Sequence, residues 1–167
     1  MTPMGSFDDL VVANASYASS FVDEGLEGQA RRGLAVVTCM DSRIEPLAML
    51  GLRKGDAKIL RNAGGRVTGD VLRTLVLATH LLGVQRILVV EHTECKMASA
   101  TEDQVHGSIA EASGIDSRSL DFRLIDDQLS TLTRDVQRVR SSPYLPRGVE
   151  VGGFLYNVRT GRLTEVC

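Results

Sequence analysis

An α/β fold around a mainly parallel sheet is what this 167-residue sequence predicts, and three observations carry the expectation. Short apolar runs rich in β-branched residues, Leu34-Ala-Val-Val-Thr38 and Ile87-Leu-Val-Val90, read as buried strands. Stretches with helical spacing alternate with them, and Gly or Pro marks most of the joins. A chain that alternates strand and helix in this way packs helices against a sheet whose parallel strands are joined by right-handed crossovers.

Ser6, followed by Asp9 and by apolar Leu10, Ala13, Tyr17 and Phe21, predicts a capped N-terminal helix that fades near Gly25. The polar stretch from Gly25 to Gly33 is a linker. The first strand ends at Cys39, Pro46 to Leu50 forms a short helix, and Ala57 to Leu60 gives a second short strand. Asn62-Ala-Gly-Gly65 is a loop in which the backbone can approach something closely, and Thr68 with Asp70 opens a helix that runs to Gly83. Arg86 to Glu91 is the next strand. Thr101-Glu-Asp-Gln104 has the spacing of a capping box, for a helix ending at Gly114. Phe122, Ile125, Leu129, Leu132, Val136 and Val139 recur at steps of three and four, which predicts a helix with one apolar face and with Asp126, Asp127, Arg134 and Arg138 turned away. Pro143 lies past its end. Val149 to Val158 and Leu163 to Val166 flank Arg159-Thr-Gly161 and read as a strand with a hairpin partner.

Residues 1–167 are expected to form one domain, with residues 1–25 as a helical arm; 43% hydrophobic and 24% charged residues suffice for a substantial core. A formal net charge of −2 argues against nucleic acid or an anionic membrane as partner and favours a small ligand. The first residues lack the basic and apolar regions of a secretory signal, and no apolar stretch approaches the roughly 20 residues of a membrane span, so a cytoplasmic protein is expected. Three cysteines cannot all pair in disulfides, which fits a reducing compartment; Cys167 is given no function.

Two strand ends carry the chemistry. Cys39-Met-Asp41-Ser-Arg43 closes the first strand and His92-Thr-Glu-Cys95 follows the strand that begins at Arg86. Two parallel strands emptying into one crevice bring the two motifs together. Singly, each cysteine reads as a small buried hydrophobe and the histidine as a satisfied structural one. Together, two thiolates and an imidazole form the donor mixture that selects zinc, and three protein ligands leave a fourth position open for chemistry. Asp41 and Arg43 could be an ordinary salt bridge beside a turn. Their closeness to a metal ligand favours a functional pair, in which a bidentate Arg43 keeps the carboxylate ionised and fixes its direction.

Cys-x-Asp-x-Arg followed downstream by His-x-x-Cys resembles the signature of the β-class carbonic anhydrases. Arg61-Asn-Ala-Gly-Gly65 is similar to that family's Arg-Asn-Ala-Gly segment and Gly152-Gly-Phe-Leu-Tyr156 to its closing strand, so the likeness runs from about Leu34 to the C-terminus. It implies a central sheet of four parallel strands plus an antiparallel one, flanked by helices, and an N-terminal helix lying across a partner subunit in a homodimer that can assemble further. It implies zinc on Cys39, His92 and Cys95, and reversible hydration of carbon dioxide to bicarbonate and a proton by attack of zinc-bound hydroxide. Asp41 would accept a hydrogen bond from that hydroxide while Arg43 orients it, or would swing onto the metal as a fourth ligand. Gly64 and Gly65, plain turn residues on the bland reading, would wall a narrow substrate site braced by Arg61 and Asn62. The same fold and metal site also serve hydrolases of carbonyl sulfide and carbon disulfide, and a homologue with Asp41 permanently on the zinc would be inert; both readings stay open.

The sequence departs from the family pattern at Lys96 and Glu91, which stand where glycine is common, and neither change removes a ligand. Lys96 could pair with Glu91 or Glu94, or point into solvent. Without tryptophan, the Trp-dependent inhibitory bicarbonate pocket of some members is not expected. His80 reads as structural, and His106 as a solvent-side residue that either carries protons or does nothing special.

Overall fold

The computed structural model describes residues 6–167, so the first five residues of the expected arm lie outside the described residues. Five strands form one sheet in the order β2-β1-β3-β4-β5, with β1 at Leu34–Cys39, β2 at Ala57–Asn62, β3 at Arg86–His92, β4 at Glu150–Tyr156 and β5 at Leu163–Glu165. The first four run parallel and β5 pairs antiparallel with β4, the arrangement the resemblance implied.

Every residue of β1 is buried, which explains its unbroken apolar run: a central parallel strand has no solvent side to alternate toward. On one face Ala35, Val37, Ile87 and Val89 lie beneath α3 (Gly69–Leu81) and α5 (Gln128–Arg140), through Val71, Leu75, Ala78, Leu132, Val136 and Val139. The other face carries Leu34, Val36 and Val90, with Ile59, Leu88, Phe154 and Leu163 only half-buried around them. Its helical cover is the four-residue α2 (Pro46–Met49), followed by Leu50 and Leu52. The sheet is thus thickly covered on one side and thinly on the other.

The start signals for two helices are satisfied as read. The Thr68 side chain accepts a hydrogen bond from the Val71 amide at the head of α3, and Thr101 with Gln104 forms the capping box of α4 (Glu102–Ser113), which Gly114 ends in the left-handed region. Two others differ. The N-terminal helix α1 (Asp8–Ser19) begins after Phe7 rather than on a Ser6 cap, and it stops well short of Gly25. Ser19 and Ser20 turn their hydroxyls back onto the carbonyls of Ser16 and Tyr17, a local alternative to continuing the helix. The helix expected from Phe122 begins only at Gln128, because the Asp127 carboxylate caps the Ser130 amide there. Phe122 and Ile125 precede it in irregular backbone, and Leu129, on the predicted stripe, is 52% exposed.

That apolar face of α5 also holds a carboxylate. Asp135 is buried and accepts from Arg66 Nε (2.8 Å) and from the Val67 amide (2.9 Å), tying α5 to the turn after β2. At β4 the backbone of Gly153 comes so close to α5 that an added Cβ would stand 2.8 Å from Val136 Cγ2. Asp135→Ala strands the half-buried guanidinium of Arg66, and a loss of about 3 kcal/mol or more in denaturant unfolding is expected, against about 1 kcal/mol for an exposed pair such as Arg73→Ala.

Candidate metal centre

Parallel pairing of β1 with β3, with Thr38 opposite Val90, delivers Cys39 and His92 to the same end of the sheet. The chain leaves β3, turns at Glu94 with a positive φ of 56°, and returns Cys95 beside them before a single 3-10 turn at Lys96–Ala98. The donor atoms of Cys39, His92 and Cys95 all lie within 4.8 Å of one another, and all three residues are buried.

The histidine is aimed. Its Nδ1 stands 2.9 Å from the Thr93 carbonyl, which can only accept, so the ring proton sits on Nδ1 and the Nε2 lone pair is free. That Nε2 is buried and has no hydrogen-bond partner among the described residues. The Gln128 amide group, at the first turn of α5, donates to the His92 carbonyl (2.7 Å) and anchors the backbone behind it.

The two sulfurs stand 4.0 Å apart, close to the roughly 3.8 Å that two ligands at 2.3 Å from one tetrahedral ion would show. They divide their protons unequally. The neighbouring Cys95 sulfur draws the Cys39 thiol down, against burial and with help from the His92 ring and the backbone at Asp41 and Gly64. The same contact, together with burial, pushes Cys95 far up. Burial opposes charging of His92, but the Cys39 thiolate and the Thr93 carbonyl outweigh it and raise its pKa. An orphaned imidazole nitrogen and two buried sulfurs form a set that could hold a soft divalent metal ion.

Asp41 lies at the edge of the set, its Oδ2 3.8 Å from His92 Nε2. Arg43 grips it in a fork, Nε to Oδ1 at 2.9 Å and Nη2 to Oδ2 at 2.7 Å, and the Arg43 amide adds a third bond to Oδ1. The guanidinium therefore holds this carboxyl well below the usual range. Arg61 donates to the carbonyls of Cys39 (2.9 Å) and Asp41 (2.6 Å), and the Asn62 side chain closes the following turn by bonding both the amide and the carbonyl of Arg66. Within that turn Gly64 and Gly65 have φ of +80° and +68°. Gly65 presses on the sheet: an added Cβ would meet the Val90 carbonyl oxygen at 3.0 Å and the Cys39 amide nitrogen at 3.1 Å.

The sequence reading did not find what holds Arg43. Glu94 accepts from Arg43 Nη1 (3.4 Å) and from Arg159 Nε and Nη2 (3.0 and 2.9 Å), so the turn between β4 and β5 reaches the Asp41–Arg43 pair through one carboxylate. With Glu94 so engaged, the suggested pairing with Lys96 is not made and Lys96 is exposed. Glu91 does not pair with it either: it is fully buried, both its oxygens lack partners among the described residues, and burial followed by the charge of Asp135 pushes it up to about 8. Asp135 itself had left a signal, an acid on the apolar face between Leu132 and Val139. His80 Nε2 lies 3.0 Å from the Tyr144 carbonyl and His106 Nδ1 2.8 Å from the Ser117 hydroxyl; neither is at this site.

A family model described as carbonic anhydrase matches residues 34–163. The chain is 33% identical over 159 residues to β-carbonic anhydrase 1 of Mycobacterium tuberculosis, a match covering 95% of this chain and 96% of that protein. It is 32% identical over 152 residues to a carbon disulfide hydrolase of Acidithiobacillus thiooxidans, covering 79% of this chain and 76% of the other. The crystal structure of the carbonic anhydrase of Streptococcus mutans superposes with a TM-score of 0.90 at 36% identity, covering 98% of this chain and 99% of that one.

The two glycines should respond differently to substitution. Gly65→Ala forces a Cβ against fixed backbone in a left-handed conformation, and a loss of at least about 2 kcal/mol is expected by chemical denaturation. Gly64→Ala meets side-chain atoms of Ile125, Arg66 and Met97 at 3.3 to 3.4 Å, which can shift, and should cost less.

Proposed function

The chain belongs to the β-carbonic anhydrase family, and on that premise we propose that it catalyses the reversible hydration of carbon dioxide to bicarbonate and a proton, with Cys39, His92 and Cys95 holding zinc and with Asp41 and Arg43 as the catalytic pair. The observation that carries the reading is the orphaned nitrogen of His92, aimed between two cysteine sulfurs with an ion-paired carboxylate beside it. Zinc in a site with an open position supplies Lewis acidity, which in the all-histidine carbonic anhydrase site brings the pKa of a coordinated water from about 15.7 to about 7.

The chain's own residues do the rest. The two thiolates would balance the ion's charge and, as stronger donors than imidazoles, would move that acidity to somewhat higher pH. Asp41, kept ionised by Arg43, would serve as a fixed hydrogen-bond acceptor beside the open position and so orient the attacking oxygen. Ile44, Met49, Met97 and Ile125 around the sulfurs keep water out and suit a small uncharged electrophile. Gly64, without a side chain, lets Ile125 and Met97 pack close against the turn that would wall the substrate site, and Gly65 lets that turn close on the strand ends. Carbon disulfide is likewise a linear, uncharged electrophile, and the hydrolase relative makes it the second substrate to assay.

The working form is proposed to be a homodimer in the cytoplasm. α1 buries none of its residues and, together with Phe7 just before it, exposes Leu10, Val11, Val12 and Tyr17, an apolar surface that a second copy would cover. Thiolate ligands favour a reducing compartment.

Stopped-flow hydration on protein of measured metal content tests the central reading. One zinc per chain and rapid carbon dioxide turnover are expected, with Cys95→Ser losing stoichiometric zinc. Turnover of carbon disulfide alone would shift the assignment to the hydrolase. Arg43→Ala should retain zinc and lose at least about a hundredfold in turnover, since Asp41 loses its orienting partner; near-native rates would make the pair merely structural. Sedimentation should give a dimer, and removal of residues 1–25 should weaken association and activity together.

A further inference from the structure

Between α4 and α5 the chain has no regular structure as it approaches the sulfurs, yet its backbone is held from both sides. Glu102, the first residue of α4, accepts the Phe122 amide on Oε2 (3.1 Å) and the Leu124 amide on Oε1 (3.0 Å). From across the segment Arg66 Nη1 donates to the carbonyls of Arg123 (2.5 Å) and Leu124 (3.3 Å), while Asp135 fixes the guanidinium. The Ile125 amide donates to the Met97 carbonyl (2.9 Å). Arg123 sits at a positive φ of 56°, a conformation that a non-glycine residue keeps only where its surroundings impose it.

What this clamp delivers is one side chain. Ile125 is 3% exposed and packs with Cys39, Cys95 and Ile44, its Cδ1 against the Gly64 turn. We infer that Glu102 and Arg66 are positioning residues that hold the 122–125 segment between them and so keep Ile125 as an apolar plug over the sulfurs of Cys39 and Cys95. Access to a thiolate governs both its reactivity and its exchange of a bound metal, so the plug sets how readily the site gives up its ion and how readily its sulfurs are attacked. The metal part of this inference rests on the proposed zinc site; the thiol part does not.

Glu102→Gln offers one acceptor and turns an NH2 against the other amide, which breaks half of the clamp. Two rates read the result: transfer of zinc from the loaded protein to a colorimetric chelator, and iodoacetamide alkylation of Cys39 and Cys95 in metal-free protein, resolved by peptide mass. Both should rise roughly tenfold, the scale for losing a hydrogen bond to a charged group, while Cys167 alkylates at its native rate and serves as reference. Ile125→Ala should raise the same two rates, and adding Glu102→Gln to it should change them little further, because both act through one side chain. Arg66→Lys, which keeps charge but not the fork, should behave like Glu102→Gln and carries the test if that variant does not fold. Native rates in the variants, or effects of Glu102→Gln and Ile125→Ala that multiply in the double variant, would overturn the inference. A chain that holds no zinc would defeat the proposed function and leave the alkylation rates to decide this one.

Discussion

The pairing of β1 with β3 is the constraint on which the rest depends. Parallel strands cannot be joined by a tight turn, so a crossover containing β2 and α3 lies between them, and the two strands meet side by side only after the chain has gone out and come back. Once they are in register at Thr38 and Val90, Cys39 and His92 have no freedom left except at their side chains. A one-residue slip would turn the His92 side chain to the other face of the sheet and away from Cys39, so the register enforces the site.

Around that fixed point the electrostatics divide into a rigid interior and an adjustable rim. Asp135 with Arg66 is a buried pair, and breaking such a pair costs several kcal/mol because the partner is left without solvent. The half-buried Asp41 and the exposed Arg43, Glu94 and Arg159 form a chain of pairs at the solvent edge, where water screens them. The interior network therefore sets where the 122–125 segment and the Gly-Gly turn lie. The rim is weak enough for Arg43 to divide itself between two carboxylates.

Much of this was legible in the sequence, and the limits have physical causes. Donor chemistry and strand ends identified Cys39, His92 and Cys95 as a group because each clue is local: a residue type and a run of apolar neighbours. The caps at Thr68 and Thr101 were readable for the same reason. The helix expected from Phe122 was misplaced because apolar spacing continues by coincidence through a segment whose amides belong to Glu102, some 20 residues away in sequence. The Arg66–Asp135 pair spans 69 residues, and Arg159 meets Glu94 across 65; spacing rules carry no information at that range. Ser6 failed as a cap where Thr68 succeeded, and α1, none of whose residues is buried among the described residues, gains little from packing to fix its ends.

The separation of Cys39 and Cys95 by 56 residues has a thermodynamic meaning as well as a chemical one. Any species that engages both sulfurs ties off a loop that the unfolded chain would otherwise leave open, and a closure of this size removes about 4 kcal/mol of denatured-state entropy if the tie survives unfolding. If the tie instead dissolves on unfolding, its whole binding energy counts toward the native state. Either way, the crossover that makes the site slow to assemble also makes occupancy of the site a guard on the topology.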